Sequence, residues 1–461
     1  MQLAEPPMSS PGGDDAVDLP QRVEPVSSSS VSVAVDLPDS MLQERYATLR
    51  SISEECIEDE ELLNLLRIKP NPICYDGFEP SGRMHIAQGV VKAININKMV
   101  SCGCKVKILI ADWFAMLNKK MGGDLDAIRT VGLYMIEVWK SLGVKTDEVE
   151  FLWSSEEIFN RPNEYWPLVM DIAQKRSINR ILRCCQVMGR SEKDDLSAAQ
   201  FLYPLMQCAD VFFLKVDICQ LGTDQRKFYP LTSILDMLPG LKEGQAKMSK
   251  SDPSTAIFME DDESQINCKI KKAFCPINVV EGNPCLEYIK YIVLPWFGSF
   301  DVARKEANGA VIVIRVNRTY RGMDEVIADY SSGALHPADL KPALTKALNK
   351  ILQPVRDHFN SNNEAKVLLE AVKGLHAYFI ACFKTSGFWD SGTVAKVLMT
   401  NLFTALLFCL TTNQTFGVLK TVTMALPHNE VKLERVEAGE RAAVGLWTDI
   451  IKGAGGRDRQ G

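Results

Sequence analysis

The stretch Ile73-Cys74-Tyr75-Asp76-Gly77-Phe78 decides the fold, together with Lys105-Val106-Lys107-Ile108-Leu109-Ile110-Ala111-Asp112 further along the chain. Both runs predict strands, because they are short, mostly apolar and bounded by turn signals. The first ends at a turn over 79–82, and the spacing of Val90 and Ile94 after that turn predicts a helix. A strand, a helix and a second strand are typical of a parallel pair, in which the helix makes the crossover connection.

The same alternation continues along the chain. A helix is predicted over 124–142, a strand over 149–153, a helix over 196–213 and a strand over 216–222. The predicted fold class is therefore α/β, with a doubly wound parallel sheet. Such sheets bind ligands at the carboxyl ends of their strands. Four residues at predicted strand ends are expected to line that crevice: Tyr75, Gly77, Glu79 and Asp112.

Composition excludes several classes of protein. The 461 residues are 46% hydrophobic and 24% charged, with a net charge of -6, so any nucleic-acid contact must come from local basic patches. The 13 cysteines form no C-x-x-C pair and there are only 5 histidines, which disfavours a structural zinc site and indicates free thiols in a reducing compartment. Residues 1–39 are rich in Ser, Pro and Gly and carry acidic residues, which predicts a disordered cytosolic extension rather than a transit peptide.

A phosphate site is predicted where the first crossover helix opens, at His85-Ile86-Ala87-Gln88-Gly89. A helix start offers free N–H groups and the positive end of the helix dipole. His85 and Gln88 could add donors to a ribose or a phosphate. Taken alone, His85 is better interpreted as an ordinary histidine at a helix start.

The helix over 196–213 carries a polar stripe beside an apolar one. Tyr203, Gln207 and Asp210 follow helical spacing, and three hydrogen-bonding groups at the rim of a core suit a small ligand with a phenol or an amine. The alternative is a half-exposed helix face. The predicted core stripe consists of Leu202, Met206, Ala209 and Phe213.

Two further segments carry groups that suit a nucleotide. After the strand over 216–222, Gly222 would let a nucleotide approach the backbone, Asp224 could accept from ribose hydroxyls and Gln225 could bind a substrate amine. The basic loop Lys247-Met248-Ser249-Lys250-Ser251 suits a mobile lid over a triphosphate. Taken alone, that loop is also typical of a solvated surface turn.

Together, in this order, the motifs at 75–82, 85–88, 203–210, 224–227 and 247–251 resemble those of tyrosine–tRNA ligases (tyrosyl-tRNA synthetases). The resemblance is to the class I enzymes of the archaeal and eukaryotic cytosolic type, and most of all to plant enzymes. It covers about Ser40 to Lys373. The five motifs are specific jointly, although each is weak alone.

This resemblance implies a Rossmann-like catalytic domain followed by an all-α anticodon-binding domain. The expected divisions are a disordered extension over 1–39, the catalytic domain over 40–260 and the helical domain over 261–373. A tail over 374–461 has no counterpart in the family.

The resemblance also implies the reaction and its partners. Tyrosine and ATP would give tyrosyl-adenylate and pyrophosphate, and the tyrosyl group would pass to the 3′ end of tRNA(Tyr). ATP is then a substrate that carries Mg²⁺ with it, and no protein-bound metal is expected. A cytoplasmic homodimer without a membrane segment is implied as well.

Site residues are carried over by position. The residues that match the tyrosine pocket are Tyr75, Tyr203, Gln207, Asp210 and Gln225, of which Tyr75 and Asp210 match the pair that grips the substrate phenol. The residues that match the ATP site are Gly77, His85, Gly222, Asp224, Lys247, Met248, Ser249, Lys250 and Ser251, with Glu79 and Gln88 added from the strand-end and helix-start arguments. The expected catalytic groups are His85, Lys247 and Lys250.

The second half is predicted to be helical, over 261–274, over 283–297 and from Leu335-His336-Pro337 onward. The apolar stripe of the long last helix consists of Leu340, Leu344, Leu348, Ile351, Leu352, Val355 and Phe359. Four basic residues elsewhere on this helix either contact tRNA phosphates or are simply solvated: Lys341, Lys346, Lys350 and Arg356.

Three departures from the family pattern leave alternatives open. The stretch over 228–237 is shorter than in the family, 311–316 resembles an insertion near a hairpin, and 374–461 matches nothing in the family. Residues 397–419 are uncharged but diluted by Thr and Asn, which disfavours a membrane span. Together these departures are typical of a variant transcript or gene-model product, which could be a catalytically impaired, binding or heterodimerising protein.

A second alternative is tryptophan–tRNA ligase, which shares the fold and the motifs. Tyr75 and Asp210 argue against it, because an indole N–H only donates and cannot satisfy a paired hydroxyl and carboxylate in the same way. A different nucleotidyltransferase with the same helix-start motif is disfavoured, since it gives no reason for a basic helical half.

Overall fold

The protein is described by a computed structural model over residues 38–52, 55–56, 59–187, 197–222, 232–235, 238–245, 248, 252–308, 312–385, 423–426 and 429–432. The chain divides into two compact units, Met1–Leu369 and Glu370–Gly461. The short strands β9 and β10, whose bounds are given below, belong to the second unit and form an antiparallel pair. The run over 397–419 lies outside the described residues. In the part of the chain that is described, no helix is both long and apolar enough to cross a membrane.

The strands are β1 (Glu55–Cys56), β2 (Ile73–Phe78), β3 (Lys105–Ile110), β4 (Val149–Trp153), β5 (Ile218–Gly222), β6 (Thr232–Leu235), β7 (Phe300–Asn308), β8 (Ile312–Tyr320), β9 (Thr423–Leu426) and β10 (Asn429–Lys432). The helices of the first half are α1 (Asp39–Arg50), α2 (Asp59–Ile68), α3 (Lys92–Ser101), α4 (Asp112–Leu117), α5 (Leu125–Ser141), α6 (Ser154–Asn160), α7 (Pro162–Gln174), α8 (Ile178–Val187) and α9 (Ala198–Phe213). Those of the second half are α10 (Glu263–Lys272), α11 (Pro284–Tyr288), α12 (Leu294–Phe297), α13 (Met323–Ser331), α14 (Pro337–Ser361) and α15 (Asn363–Thr385).

A six-stranded sheet in the order β1-β6-β5-β2-β3-β4 forms the centre of the first unit. Its five strands from β6 to β4 are parallel, and β1 pairs antiparallel with β6. The predicted α/β fold with a parallel sheet is thereby confirmed. The apolar runs of β2 and β3 are buried because helices cover both faces of the sheet.

The two faces of the sheet are packed differently. On one face α7 and α9 pack over Tyr75 and Leu109, in a core that also contains Tyr165 and Met206. On the other face α5 approaches so closely that a Cβ on Gly132 would lie 2.6 Å from the ring of Trp153. Helix α9, which begins with a capping box at Ser197, is thereby held over the carboxyl end of β2.

Two expectations about individual side chains were wrong. Leu202 was placed in the core stripe of α9, but it is 40% exposed, because Tyr203 and Asp210 take the inward positions beside Met206. Asp112 was expected to line the crevice. It is instead fully buried at the start of α4, where it accepts from the hydroxyls of Ser154 (2.7 Å) and Ser155 (2.5 Å).

The second half of the first unit is mainly helical, as predicted. The predicted stripe of α14 is buried at all seven positions, and His336 caps the helix by accepting from the backbone N–H of Ala338. The addition to the all-helical expectation is the antiparallel hairpin β7–β8. Of the predicted insertion, residues 312–316 belong to β8 and Val311 lies outside the described residues. The predicted divisions at 260/261 and 373/374 stay predictions.

Candidate functional site

Four polar side chains meet where the carboxyl half of β2 faces α7 and α9, and we call them the Asp210 cluster: Tyr75, Tyr165, Tyr203 and Asp210. All four are at most 8% exposed. Tyr75, Tyr165 and Tyr203 belong to one buried core, and Tyr165 donates to Asp210. Burial, and then the charge of Asp210, raises the pKa of the Tyr75 hydroxyl well above its ordinary value. The structure therefore brings together Tyr75, Tyr203 and Asp210, as the sequence predicted.

The structure shows a hydrogen bond to one of the two carboxylate oxygens of Asp210. The Tyr165 hydroxyl donates to its Oδ1 atom (2.9 Å) and also lies 3.2 Å from the backbone oxygen of Met206. Within the described residues, Oδ2 has no hydrogen-bond donor. Burial raises the pKa of Asp210 well above its usual range, and the Tyr165 hydrogen bond opposes that shift. A neutral phenol is a donor that could bind Oδ2 without adding a second buried charge.

Tyr165 was missed by the sequence analysis. It is fully buried in α7, 45 residues before Asp210 in the chain. No periodic pattern connects two helices at that separation, since helical spacing reports only which residues share a face of one helix. A tyrosine in an otherwise ordinary helix carries no local signal of such a contact.

The Tyr75 hydroxyl occupies space that Gly77 leaves open. A Cβ on Gly77 would lie only 2.7 Å from that hydroxyl oxygen. Tyr75 and Gly77 lie two apart on β2 and point to the same face, so the absent side chain lets the phenol lie along the strand. Among the described residues, the Tyr75 hydroxyl has no hydrogen-bond partner, and it remains available to a ligand.

Glu79 collects three donors at the end of β2. The hydroxyl of Tyr203 and the side-chain amide of Asn118 (2.6 Å) both donate to Oε1, and the Lys120 ammonium lies 3.8 Å from Oε2. The predicted site residues Glu79 and Tyr203 are therefore in direct contact. The hydrogen bond also fixes the orientation of the Tyr203 ring, which packs edge-on against Phe114.

The predicted phosphate-binding helix start is built differently from an ordinary helix N-terminus. It begins with a π-helical turn, Ala87–Val91, and the N–H of Ile86 donates to Ile257 (2.8 Å). The N–H of Gln88 lies 2.9 Å from the backbone oxygen and 3.4 Å from Nδ1 of His85. The expectation of free N–H groups therefore holds for neither Ile86 nor Gln88, whereas the buried side-chain oxygen of Gln88 has no partner among the described residues.

This helix start is paired with the segment that follows the basic loop. His85 forms an antiparallel bridge with Phe258, and the N–H of Met259 donates to the backbone oxygen of Met84 (2.9 Å). The contact is close, since a Cβ on Gly89 would lie 2.3 Å from the sulfur of Met259. The helix start and the segment after the basic loop lie far apart in sequence and are thus joined by a short stretch of antiparallel backbone pairing.

The base of the basic loop is closed, although most of the loop is outside the described residues. The undescribed residues of the loop are Lys247, Ser249, Lys250 and Ser251, whereas Met248 is buried. Asp224 and Gln225 also lie outside the described residues, and Gly222 ends β5. On either side of the loop, the N–H of Leu241 donates to Thr255 (2.9 Å) and Lys242 pairs with Asp252 (2.7 Å). The Lys242 ammonium, through its hydrogen bond, lowers the pKa of Asp252 to about 2.

Carboxylates next to the Asp210 cluster are already engaged. Asp76 is buried on β2, where burial raises its pKa and the Lys92 ammonium (2.5 Å) opposes that shift.

Gln207, the remaining predicted residue of α9, is half-buried beside the cluster. Two of the basic residues of α14 bind backbone oxygens, Lys341 that of Ala273 (2.7 Å) and Arg356 that of Asn349 (2.8 Å).

Known proteins resemble the chain over this whole region. The model of the family "tRNA synthetases class I (W and Y)" matches residues 69–235 and 228–353. Tyrosine–tRNA ligase 1, cytoplasmic, of Arabidopsis thaliana is 59% identical over 374 residues, which is 77% of this chain and 96% of the relative. Tyrosine–tRNA ligase 2, cytoplasmic, of the same plant is 58% identical over 76% of this chain, which spans 48% of that relative.

A solved structure agrees with these sequences. Leishmania major tyrosyl-tRNA synthetase in complex with tyrosinol superposes with a TM-score of 0.66 at 46% sequence identity. The match covers 72% of this chain and 52% of the Leishmania chain, so the chain spans about half the length of that protein.

Proposed function

The chain belongs to the class I tRNA synthetases of the tryptophan and tyrosine family and is a tyrosine–tRNA ligase, and on this premise we propose how its residues bind and activate tyrosine. The Asp210 cluster forms the pocket for the substrate side chain. The substrate phenol donates to Oδ2 of Asp210 and accepts from the hydroxyl of Tyr75. The observation that carries this proposal is that the Tyr75 hydroxyl and the Oδ2 atom of Asp210, which belong to two buried side chains, have no hydrogen-bond partner within the described residues.

The chemistry itself needs positioning rather than a general base. The tyrosine carboxylate is already a nucleophile, so the protein must align it with the α-phosphorus of ATP and stabilise the charge that grows on the phosphates. As the new C–O–P linkage forms, pyrophosphate leaves with its electron pair. A hydroxyl of the terminal adenosine of tRNA(Tyr) then attacks the tyrosyl carbonyl, and AMP leaves.

We assign roles at the ATP side by position in the family motifs. His85 and Gln88 would contact ATP from the helix start. The buried side-chain oxygen of Gln88 would accept a hydrogen bond from the nucleotide. Lys247 and Lys250 would meet the phosphates from the basic loop. The antiparallel pairing between 84–86 and 257–259 holds the helix start against the segment that follows that loop.

Magnesium enters with ATP in this proposal. Among the described carboxylates near the site, Glu79 accepts from Tyr203 and Asn118, and Asp76 pairs with Lys92. Such engaged carboxylates are poor candidates for a dedicated Mg²⁺ cage, and Mg²⁺ is commonly held mostly by substrate phosphates. The β- and γ-phosphates of ATP would therefore supply its ligands.

Amino-acid-dependent exchange between ATP and pyrophosphate tests the activity. We expect exchange with tyrosine and none with tryptophan, and phenylalanine should be rejected strongly because it would leave Tyr75 and Asp210 unpaired. Tyr75→Phe should raise the KM for tyrosine while leaving the KM for ATP unchanged. Exchange driven only by tryptophan would overturn the assignment of the substrate.

One observation bears on the alternative of a catalytically impaired chain, namely the short connection between two parallel strands. Only residues 223–231 join β5 to β6, whereas a crossover between parallel strands usually takes about a dozen residues or more. A chain with a disturbed nucleotide side would bind tyrosine without activating it. Replacing 223–237 by the corresponding segment of the Arabidopsis relative and comparing exchange rates would separate the two cases. Equal rates would exclude the impaired form.

The enzyme acts in the cytoplasm, as the names of both Arabidopsis relatives state for those proteins. We further propose that it works as a homodimer. Large apolar side chains are exposed on four successive helices, α6 to α9, and a partner subunit would cover them: Phe159, Met170, Ile178 and Phe212.

Sedimentation should therefore give twice the mass of the chain. Met170→Glu should shift the protein to the monomer, while Met41→Glu, at an exposed apolar position on α1, should not. A monomer in the unmodified protein would reject the proposal.

A further inference from the structure

Away from the Asp210 cluster, two cysteines and two polar side chains meet between α10 and α13. Cys275 is half-buried, whereas Cys285, Asn283 and Tyr330 are fully buried. The Tyr330 hydroxyl lies 3.2 Å from the sulfur of Cys275, and the side-chain amide of Asn283 donates to that sulfur at 3.7 Å. We call these four residues the Cys275 cluster.

The thiol of Cys285 donates to the backbone oxygen of Phe274 (3.8 Å), the residue that precedes Cys275, so the two thiols lie near each other. Interaction with the Cys285 thiol lowers the pKa of Cys275 to about 6, assisted by Tyr330 and Asn283, while the same interaction and burial raise the pKa of Cys285. The positive charge of Lys341, whose ammonium binds the backbone oxygen of Ala273 (2.7 Å), adds to the stabilisation of a Cys275 thiolate. One thiol is thus accessible and prone to ionise, and its partner stays protonated beside it.

We propose that Cys275 and Cys285 form a peroxide-sensitive modification site, in which Cys275 is oxidised first and Cys285 then closes a disulfide. An accessible thiol that receives hydrogen bonds and has a second thiol nearby is the arrangement that reacts with peroxide and resolves to a disulfide. A second pair whose thiols interact, Cys74 and Cys104, is 0% and 6% exposed and has no comparable access.

The reaction balances with hydrogen peroxide as the oxidant. The Cys275 thiolate attacks one peroxide oxygen, so that an S–O bond forms, the O–O bond breaks and hydroxide leaves. The Cys285 thiol then gives up its proton and attacks that sulfur, so that an S–S bond forms and water leaves. Two thiols are oxidised to one disulfide while one peroxide is reduced to two waters.

The test uses the full-length, fully reduced chain. It is treated with one equivalent of hydrogen peroxide at pH 6, alkylated and digested, and the peptides are mapped by mass spectrometry. We expect a linked peptide that joins Cys275 to Cys285, lighter by two hydrogen atoms than the reduced pair. Cys268 is the internal control, because it is more exposed than Cys275.

Variants resolve the order of the two steps. Cys285→Ser should leave Cys275 as a sulfenic acid that a dione probe traps, and Cys275→Ser should leave Cys285 reduced. At pH 6 a disulfide reagent should consume Cys275 about tenfold faster than an unperturbed exposed thiol, after its lower nucleophilicity is allowed for. Oxidation of Cys268 before Cys275, or no linked peptide in the unmodified chain, would overturn the proposal even if a variant failed to fold.

Discussion

Burial of the Asp210 carboxylate destabilises the fold, but the proposed pocket needs the same carboxylate to bind the substrate. It is 3% exposed, and the Tyr165 hydroxyl satisfies only one of its oxygens among the described residues. Burying a carboxylate costs free energy unless donors compensate for the lost water. In the proposed pocket that compensation is completed by the phenol of the substrate, so the side chain that destabilises the empty protein is the one that selects the ligand.

Replacement of Asp210 by Asn should raise stability at neutral pH and abolish tyrosine-dependent exchange. The folded-state pKa of Asp210 is raised, so the folded state holds the proton more tightly than the unfolded state does. The destabilisation by the carboxylate therefore grows as pH rises from the unfolded pKa of about 3.9 to the folded pKa and is constant above it. Asn lacks this penalty and can still accept from Tyr165.

Urea unfolding at pH 4 and pH 7 measures the effect. We expect Asp210→Asn to gain about 1 kcal/mol or more in free energy of unfolding at pH 7 and little at pH 4. Asp171→Asn, at an exposed carboxylate on α7, is the matched control and should change neither value much. A difference between variant and unmodified protein that stays the same at both pH values would contradict this account of Asp210.

The absence of a side chain at Gly77 is needed for the position of the Tyr75 phenol. Because a Cβ there would lie 2.7 Å from the Tyr75 hydroxyl, Gly77→Ala should displace the phenol. We expect the KM for tyrosine to rise about tenfold, which is the loss of ~1.4 kcal/mol of binding. Steady-state exchange gives this KM. Gly322→Ala, where an added Cβ meets nothing within 4 Å, is the control, and an unchanged KM in Gly77→Ala would argue against the proposed pocket.

At the scale of elements, α5 is connected to the segment behind the basic loop. The Tyr134 hydroxyl of α5 donates to Oε2 of Glu260 (2.8 Å), and Glu260 also pairs with Arg83, two residues before His85. The ring of Tyr134 contacts that of Phe359 on α14. The helix start and α5 thus meet at the buried carboxylate of Glu260, and α14 packs against the Tyr134 ring beside it.

Tyr134→Phe should weaken this junction without emptying it. The ring and its contact with Phe359 stay, and Glu260 keeps Arg83, so we expect a loss of ~1 kcal/mol in the free energy of unfolding. Denaturant unfolding provides the measurement. Tyr291→Phe removes a hydroxyl that accepts from the exposed Lys290 and should cost less. Equal losses in the two variants would show that the Glu260 contact contributes nothing special.

At the scale of the whole molecule, the first unit spans the predicted division between the catalytic and the helical part. His358 of α14 pairs with Glu137 of α5 (2.8 Å), and Arg356 donates to the backbone oxygen of Asp261. Through these contacts α14 supports the segments that carry the candidate site. Helix α14 therefore holds α5 and the segment around Asp261 in place.

Some features of this protein follow from its sequence alone. The strands over 73–78 and 149–153 and the buried stripe of α14 were predicted at their observed positions, because period-two and period-3.6 patterns report which residues share a face. In such cases local chemistry and global topology agree. The pairing of Tyr75 with Asp210 was implied only by the resemblance to the family, because Asp210 lies on a helix and not at a strand end.

Tertiary structure alone decided the rest. Sequence spacing could not show that Tyr165 of α7 donates to Asp210, that Leu202 faces outward, or that Met84 pairs with Met259. A periodic pattern gives the face of an element but not the distant element that covers it, and the π-helical turn at Ala87–Val91 leaves no mark in composition. The stretch Ile73–Phe78 therefore determined the sheet, whereas packing against α7, α9 and the segment after the basic loop made its carboxyl end a site.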